Sequence, residues 1–184
     1  MSFTLVMLKI VGTKTAPGVE DLYSNTPGDM GGESICGISR VKNPGVPVWA
    51  HVDRLKAADT PQADWWDDHG LMGAVLDFYQ SLWLQHRLDQ VPELLQGPVF
   101  GGIVNQGVQV VIDLQQCLQL LHQMLVVDGV MGPGTIAALG QVEPAVLAAF
   151  LFRRRTQGYL AIVDKHPDQR INFHGWICRL AAGL

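Results

Sequence analysis

Charged residues are scarce: Asp, Glu, Lys and Arg make up 16% of the 184 residues, whereas 48% are hydrophobic. That balance excludes a disordered chain and leaves few side chains for surface ion-pair networks. Cysteine is scarcer still. Cys36, Cys117 and Cys178 are widely separated and share no metal-ligand spacing, which argues against a zinc ribbon or a disulfide-dense scaffold. One disulfide and one free thiol stay open for a protein working outside the cytoplasm. No apolar run reaches the roughly 20 residues of a membrane span. The opening MSFTLVMLKIVG is apolar but lacks a basic n-region and runs into KTAPG, a poor signal peptide. The expectation is a chain made soluble, without stable membrane insertion. None of the six histidines forms an HExxH pattern, no Gly-x-Ser-x-Gly occurs, and GPGT at 132–135 lacks the Lys-Ser/Thr pair of a phosphate loop. No metal ligands and no cofactor are expected.

What is present is enough for one ordinary domain, or a compact domain with a short companion, burying about 70% of the surface of the unfolded chain. Net charge is 13 − 17 = −4, unevenly spread: residues 1–149 carry 7 basic and 15 acidic side chains, residues 150–184 carry 6 and 2. An acidic body disfavours general nucleic-acid binding, while the basic tail, with Arg153, Arg154 and Arg155 in a row, would seat on an anionic polymer or form a solvated helix face.

Residues 3–11 read as a short helix or strand ending before Gly12. From Asn25 to Gly37 the density of small and turn-forming residues predicts a shaped loop. Segment 41–69, cut by Pro44, Pro47 and Pro61, reads as a surface connection anchored by Trp65 and Trp66. Leu71, Val75, Phe78, Leu82 and Gln85 predict a helix over 71–90. Pro92 and Gly97-Pro98 bracket a break before the pattern resumes at Phe100, and Val108–Leu121 is apolar enough for a central helix. Asp128-Gly129 predicts a turn, Pro133 and Gly140 the ends of a short helix, and 143–163 and 172–182 a final pair separated by Pro167. Room for a small β element lies only around 35–52.

Glu20, Asp29 and Ser34 place an acid, a second carboxylate and a hydroxyl around the glycine-rich stretch. This suits glycosidic cleavage, in which a carboxylic acid protonates the leaving oxygen while a carboxylate or oriented water deals with the oxocarbenium-like carbon. The alternative is architectural: Glu20 capping a turn and Asp29 closing an Asx-turn. Glu33 is the rival second carboxylate. Tyr23, Asn25, Asn105 and Gln106 have side chains suited to sugar hydroxyl and acetamido groups.

The stretch EDLYSNTPGDMGGESICGIS at 20–39 resembles the opening of the glycoside hydrolase 108 family of phage-type N-acetylmuramidases, in register through Glu20, Tyr23, Asn25, Asp29, Gly31, Gly32, Glu33, Gly37 and Ile38. YQSLW at 79–83, FGGIVNQG at 100–107 and VDGVMGPGTIAAL at 127–139 resemble later family segments. RRRTQGY at 153–159 and FHGWICRL at 173–180 resemble its C-terminal peptidoglycan-binding-like region. The resemblance implies a mainly α, lysozyme-like fold with a glycine-rich active-site loop and packed C-terminal helices. It divides the chain into a catalytic region, 1–122, and a peptidoglycan-binding-like region, 123–184. The implied activity is hydrolysis of the β-1,4 bond between N-acetylmuramic acid and N-acetylglucosamine in bacterial peptidoglycan. Glu20 would be the general acid, its pKa raised in a partly desolvated cleft, with Asp29 and Ser34 completing the catalytic set. Asp21-Leu22 replace two glycines, Ser34 a threonine, and Gly101 an aspartate of the family pattern, so a wall-binding relative with weak turnover is the alternative. Action on the wall implies delivery by a holin, lysis or secretion apparatus, as an endolysin or an interbacterial toxin. In the toxin case an immunity protein would be a partner.

Overall fold

The computed structural model describes residues 2–29 and 31–184 and is mainly helical. Eight α-helices are interleaved with five two-residue strands among the described residues. The chain divides into two compact units, one of residues 7–82 and one of residues 1–6 with 83–184; the boundaries fall inside the first and third helices.

Helix α1, Phe3–Ile10, is followed by a hairpin of β1, Gly12–Thr13, and β2, Ala16–Pro17. A three-stranded antiparallel sheet, β3 (Tyr23–Ser24), β4 (Ser34–Ile35) and β5 (Ile38–Ser39), comes next. Its register aligns Ser24, Ser34 and Ser39 on one face and Tyr23, Ile35 and Ile38 on the other. Strands therefore extend beyond 35–52, at 12–17 and 23–24. Two-residue strands carry too little side-chain alternation to show in a sequence.

Segment 41–69, read as a connection, contains helix α2, Val48–Ala57. Pro47 stands at its N-cap, where a missing N–H costs nothing, so the proline that looked like a breaker begins the helix. Val48, Val52 and Leu55 form its buried stripe. A 3₁₀ turn, Gln62–Asp67, buries Trp65, whose indole N–H donates to the Thr60 carbonyl at 3.0 Å. In α3, His69–Gln85, the buried positions are Leu71, Val75, Tyr79 and Trp83, spaced by four. Leu71 and Val75 are on the predicted stripe, and Tyr79 and Trp83, expected to widen it, carry its second half, while Phe78 and Leu82 are half-buried and Gln85 is exposed.

In the second unit α4, Glu93–Gln106, runs through Gly97-Pro98 without a break. Proline removes the helical donor to the Leu94 carbonyl, but Leu94 lies on the exposed side of the helix, where water can take that place, and Leu95, Val99 and Ile103 are buried; the Pro98 carbonyl accepts from Arg155 Nη1 at 2.9 Å. Gly107, at φ +62°, separates α4 from α5, Gln109–Leu120. Gly101, where the family pattern has aspartate, has no space for a side chain: an added Cβ would lie 2.4 Å from the Leu184 carbonyl carbon. Helices α4, α5 and α7 (Pro144–Lys165) pack together, α6 (Pro133–Leu139) packs on α5, and α8 (Arg170–Ala181) on α7. Tyr159 and Trp176 stack between α7 and α8 with ring centroids 5.0 Å apart. The three cysteines are free thiols. No single helix among the described residues is long and apolar enough to cross a membrane.

Candidate active site

Glu20 is held by its backbone before its carboxyl is considered. The β1–β2 hairpin returns the chain to the end of α1, where the N–H groups of Gly18, Val19 and Glu20 donate to the carbonyls of Val11, Lys9 and Ile10 at 3.1, 2.9 and 3.0 Å. These are carbonyls a helix end leaves without partners. The hairpin thus occupies the place of a continued helix and sets Glu20 down directly after it. The residue is 7% exposed.

The wall against its carboxyl is the turn between β4 and β5. Cys36 and Gly37 form a two-residue loop with φ of +48° and +83°, the left-handed pair that a tight hairpin with native twist requires. An added Cβ at Gly37 would lie 2.8 Å from Glu20 Cδ and 3.0 Å from Oε2. Only glycine both adopts this backbone easily and leaves room for the carboxyl. The Cys36 N–H donates to the Leu22 carbonyl at 2.8 Å, and Tyr79 Oη donates to the Cys36 carbonyl at 2.6 Å. Burial, and then the Glu20 carboxylate nearby, push the Cys36 thiol up to about 12.

Asp29 closes an Asx-turn, its Oδ1 accepting from the Gly31 N–H at 2.9 Å, while its carbonyl accepts from the Gly32 N–H at 3.0 Å. Ser34 is half-buried in β4 between Ser24 and Ser39. Asn25 is exposed at the end of β3.

Glu33 sits in a different environment from Glu20. Its Oε1 accepts from Tyr23 Oη at 3.0 Å and from Lys56 Nζ, and its Oε2 accepts from Arg40 Nη1 at 2.8 Å. Arg40 also pairs with Asp53 and lies over the Trp49 ring, and the Lys56 ammonium lies 4.8 Å from the Tyr23 ring centre. Burial alone raises the Glu33 pKa, but the donors from Lys56, Arg40 and Tyr23 outweigh it and hold the carboxyl below its ordinary value. A carboxylate stabilised as the anion by two cations and a phenol is a poor proton donor. Glu33 and Tyr23 tie the sheet to α2 with the polar atoms that would face a sugar.

Asn105 and Gln106 belong to the other unit. Asn105 Nδ2 donates to the Gly101 carbonyl of its own helix at 2.9 Å, and Gln106 Oε1 accepts from Arg155 Nε at 2.9 Å. Arg155 is 1% exposed. Its guanidinium reaches the carbonyls of Pro98 and Leu184, at 2.9 and 2.6 Å, and Tyr159 Oη at 3.3 Å. It is a core residue, so only Arg153 of the three arginines is both exposed and outside these networks; Arg154 bonds Asp113 at 2.9 Å and Gln116.

A second polar knot holds the VDGVMGPGT loop. The Nε2 of the fully buried Gln115 shares its two hydrogens among Asp128 Oδ1, Thr135 Oγ1 and the Val130 carbonyl, at 2.8, 3.0 and 3.1 Å. Its Oε1 accepts from the Asp128 and Gly129 N–H groups at 3.0 and 2.9 Å. Sequence reasoning missed both Gln115 and Arg155, although each falls on a buried helical stripe: Arg155 between Leu151 and Tyr159, Gln115 between Val111 and Leu118. It also missed Tyr79 as the support of the Cys36 turn. Among the described residues, no group of three or more His, Cys, Asp or Glu side chains is arranged to hold a metal.

Residues 109–181 match the family model described as Predicted Peptidoglycan domain. That match associates the C-terminal segment with peptidoglycan. No curated protein matches the chain. In structure the chain is similar to SagA of Brucella abortus, with a TM-score of 0.55 and 20% identity over 89% of this chain and 88% of that one. At this identity the likeness concerns the fold.

Proposed function

We propose that the protein is an N-acetylmuramidase that cleaves the β-1,4 bond between N-acetylmuramic acid and N-acetylglucosamine in peptidoglycan, with Glu20 as general acid. The observation that carries this reading is the seat of Glu20: a largely buried carboxyl, delivered by a hairpin and set against a turn that only glycine can complete. Such a group gives its proton to the departing sugar oxygen and, deprotonated, activates water. Asp29 stabilises positive charge at the sugar carbon from an ordered loop, and Ser34 orients water or substrate. In the unit of residues 7–82 Asn25 is the proposed sugar contact, with Tyr23 and Glu33 shaping the sheet that carries it; Asn105 and Gln106 are the sugar contacts proposed in the other unit. The resemblance of residues 20–39 to the glycoside hydrolase 108 pattern supports the same assignment. In this reading residues 1–122 carry the chemistry and residues 123–184 hold the wall, in the periplasm or cell wall, as an endolysin or as an effector with an immunity partner.

A second reading has one observation in its favour: the family match begins only at residue 109 and describes a peptidoglycan domain, not a hydrolase. It makes the protein a wall binder with little turnover. Digestion of purified sacculi separates the two. The muramidase yields muropeptides with new reducing ends at N-acetylmuramic acid and intact peptide stems, identified by borohydride reduction and mass spectrometry. Sacculus binding without new ends supports the binder, and severed amide bonds contradict both.

A further inference from the structure

Tyr79 is fully buried on α3, and its hydroxyl donates to the main-chain carbonyl of Cys36 at 2.6 Å. Cys36 is a non-glycine residue at φ +48°, a left-handed conformation that persists only where its surroundings over-determine it. The Cys36 carbonyl and the Gly37 N–H belong to one planar peptide unit. A hydroxyl that fixes the carbonyl therefore fixes the plane on which the Gly37 backbone turns. The Leu22 carbonyl holds the other side of Cys36 through its N–H. Gly37 in turn lies against the Glu20 side chain, 2.9 Å from Cγ to the position of an added Cβ. The contacts form a chain: Tyr79 hydroxyl, Cys36–Gly37 peptide, Glu20 carboxyl.

The geometry points to Tyr79 as a positioning residue for Glu20, acting through the Cys36–Gly37 peptide without touching substrate. Its catalytic consequence rests on the muramidase reading; the mechanical link between the three residues does not. An ordinary core tyrosine with a satisfied hydroxyl would stabilise the unit and leave the Glu20 carboxyl where it is.

Tyr79→Phe keeps the ring and removes only the donor. The chain has four glutamates, Glu20, Glu33, Glu93 and Glu143, so labelling their side-chain carboxyls with ¹³C gives four signals, with Glu20→Gln identifying that of Glu20. In Tyr79→Phe the Glu20 signal moves or splits while those of Glu93 and Glu143 stay. With sacculi as substrate kcat falls about tenfold and KM stays within about twofold, the signature of a lost transition-state alignment. Gly37→Ala, whose methyl is driven into the Glu20 side chain, moves the same signal further. Gly73→Ala on α3, whose methyl meets no neighbour, moves none. An unmoved Glu20 signal in folded Tyr79→Phe, or an activity loss confined to KM, overturns the inference. If Tyr79→Phe does not fold, an unmoved signal in Gly37→Ala overturns it. A wild-type protein that cleaves nothing defeats the muramidase reading and leaves the signal test standing.

Discussion

Buried polar groups in the two compact units are used in opposite ways. In the unit of residues 1–6 and 83–184, Arg155 spreads its donors, and Gln115 its donors and acceptor, over several partners, most of them main-chain or neutral side-chain atoms, and the bonds fasten loops and helix ends to the core. In the unit of residues 7–82 the carboxyls divide. Glu33 is saturated by Lys56, Arg40 and Tyr23, whereas Glu20 is enclosed by backbone geometry: a hairpin beneath it and a glycine turn beside it. A polar group ringed by charged or side-chain partners is committed to structure.

The comparison breaks most visibly at Arg155. Arg155→Met keeps a flexible apolar stem but leaves the Pro98 and Leu184 carbonyls and Gln106 Oε1 without their donor; at about 1 kcal/mol or more for each stranded acceptor the loss is about 3 kcal/mol. For a chain this size that lowers Tm by roughly 6–12 °C, read by calorimetry. An activity loss without a stability loss would move Arg155 out of the architectural class. Gln115→Leu strands the Asp128 and Gly129 N–H groups and should cost about 2 kcal/mol. Protection of the 127–135 amides from hydrogen exchange should fall together with Tm.

Glu33→Gln sharpens the contrast between the carboxyls. The folded pKa of Glu33 is lowered, so its stabilising effect is fully present above the unfolded carboxylate pKa and is lost as pH falls through the folded one. The variant should therefore be less stable than wild type by about 1 kcal/mol at neutral pH, and the two should converge in acid, as followed by urea titrations at several pH values. A constant gap across pH would mean that the ion pairs contribute nothing. The smallest effect is expected at Arg153, which is exposed on α7. Arg153→Ala should leave stability within about 0.5 kcal/mol and slightly weaken sacculus binding, a difference that disappears as salt screens it.

The sequence carried the helices whose punctuation matched their physics. Pro133 and Pro144 open α6 and α7, and Gly140 closes α6. It hid α2 because Pro44, Pro47 and Pro61 read as breakers when Pro47 is the N-cap residue, and it hid the continuity of α4 because Pro98 costs only the donor to the exposed Leu94 while Leu95, Val99 and Ile103 pack the helix into the core. At the candidate site, the Asx-turn of Asp29 was legible from residue type alone. The seat of Glu20 was not, since it depends on a hairpin that replaces helix and on a turn with left-handed Cys36, a residue type that gives no turn signal. Arg155 was concealed in a run of three arginines. A count of four from Leu147 through Leu151 to Tyr159 places it on the buried stripe, a pattern that outranks the usual exposure of arginine.

Glu20→Gln, compared with wild type for both sacculus binding and release of N-acetylmuramic acid reducing ends, tests the central claim most directly. The amide keeps the size of the carboxyl and cannot give a proton to the leaving oxygen. Release of reducing ends should fall by about 10²–10⁴, with binding and Tm unchanged. Near-parental release of reducing ends by the folded variant would contradict Glu20 as the general acid.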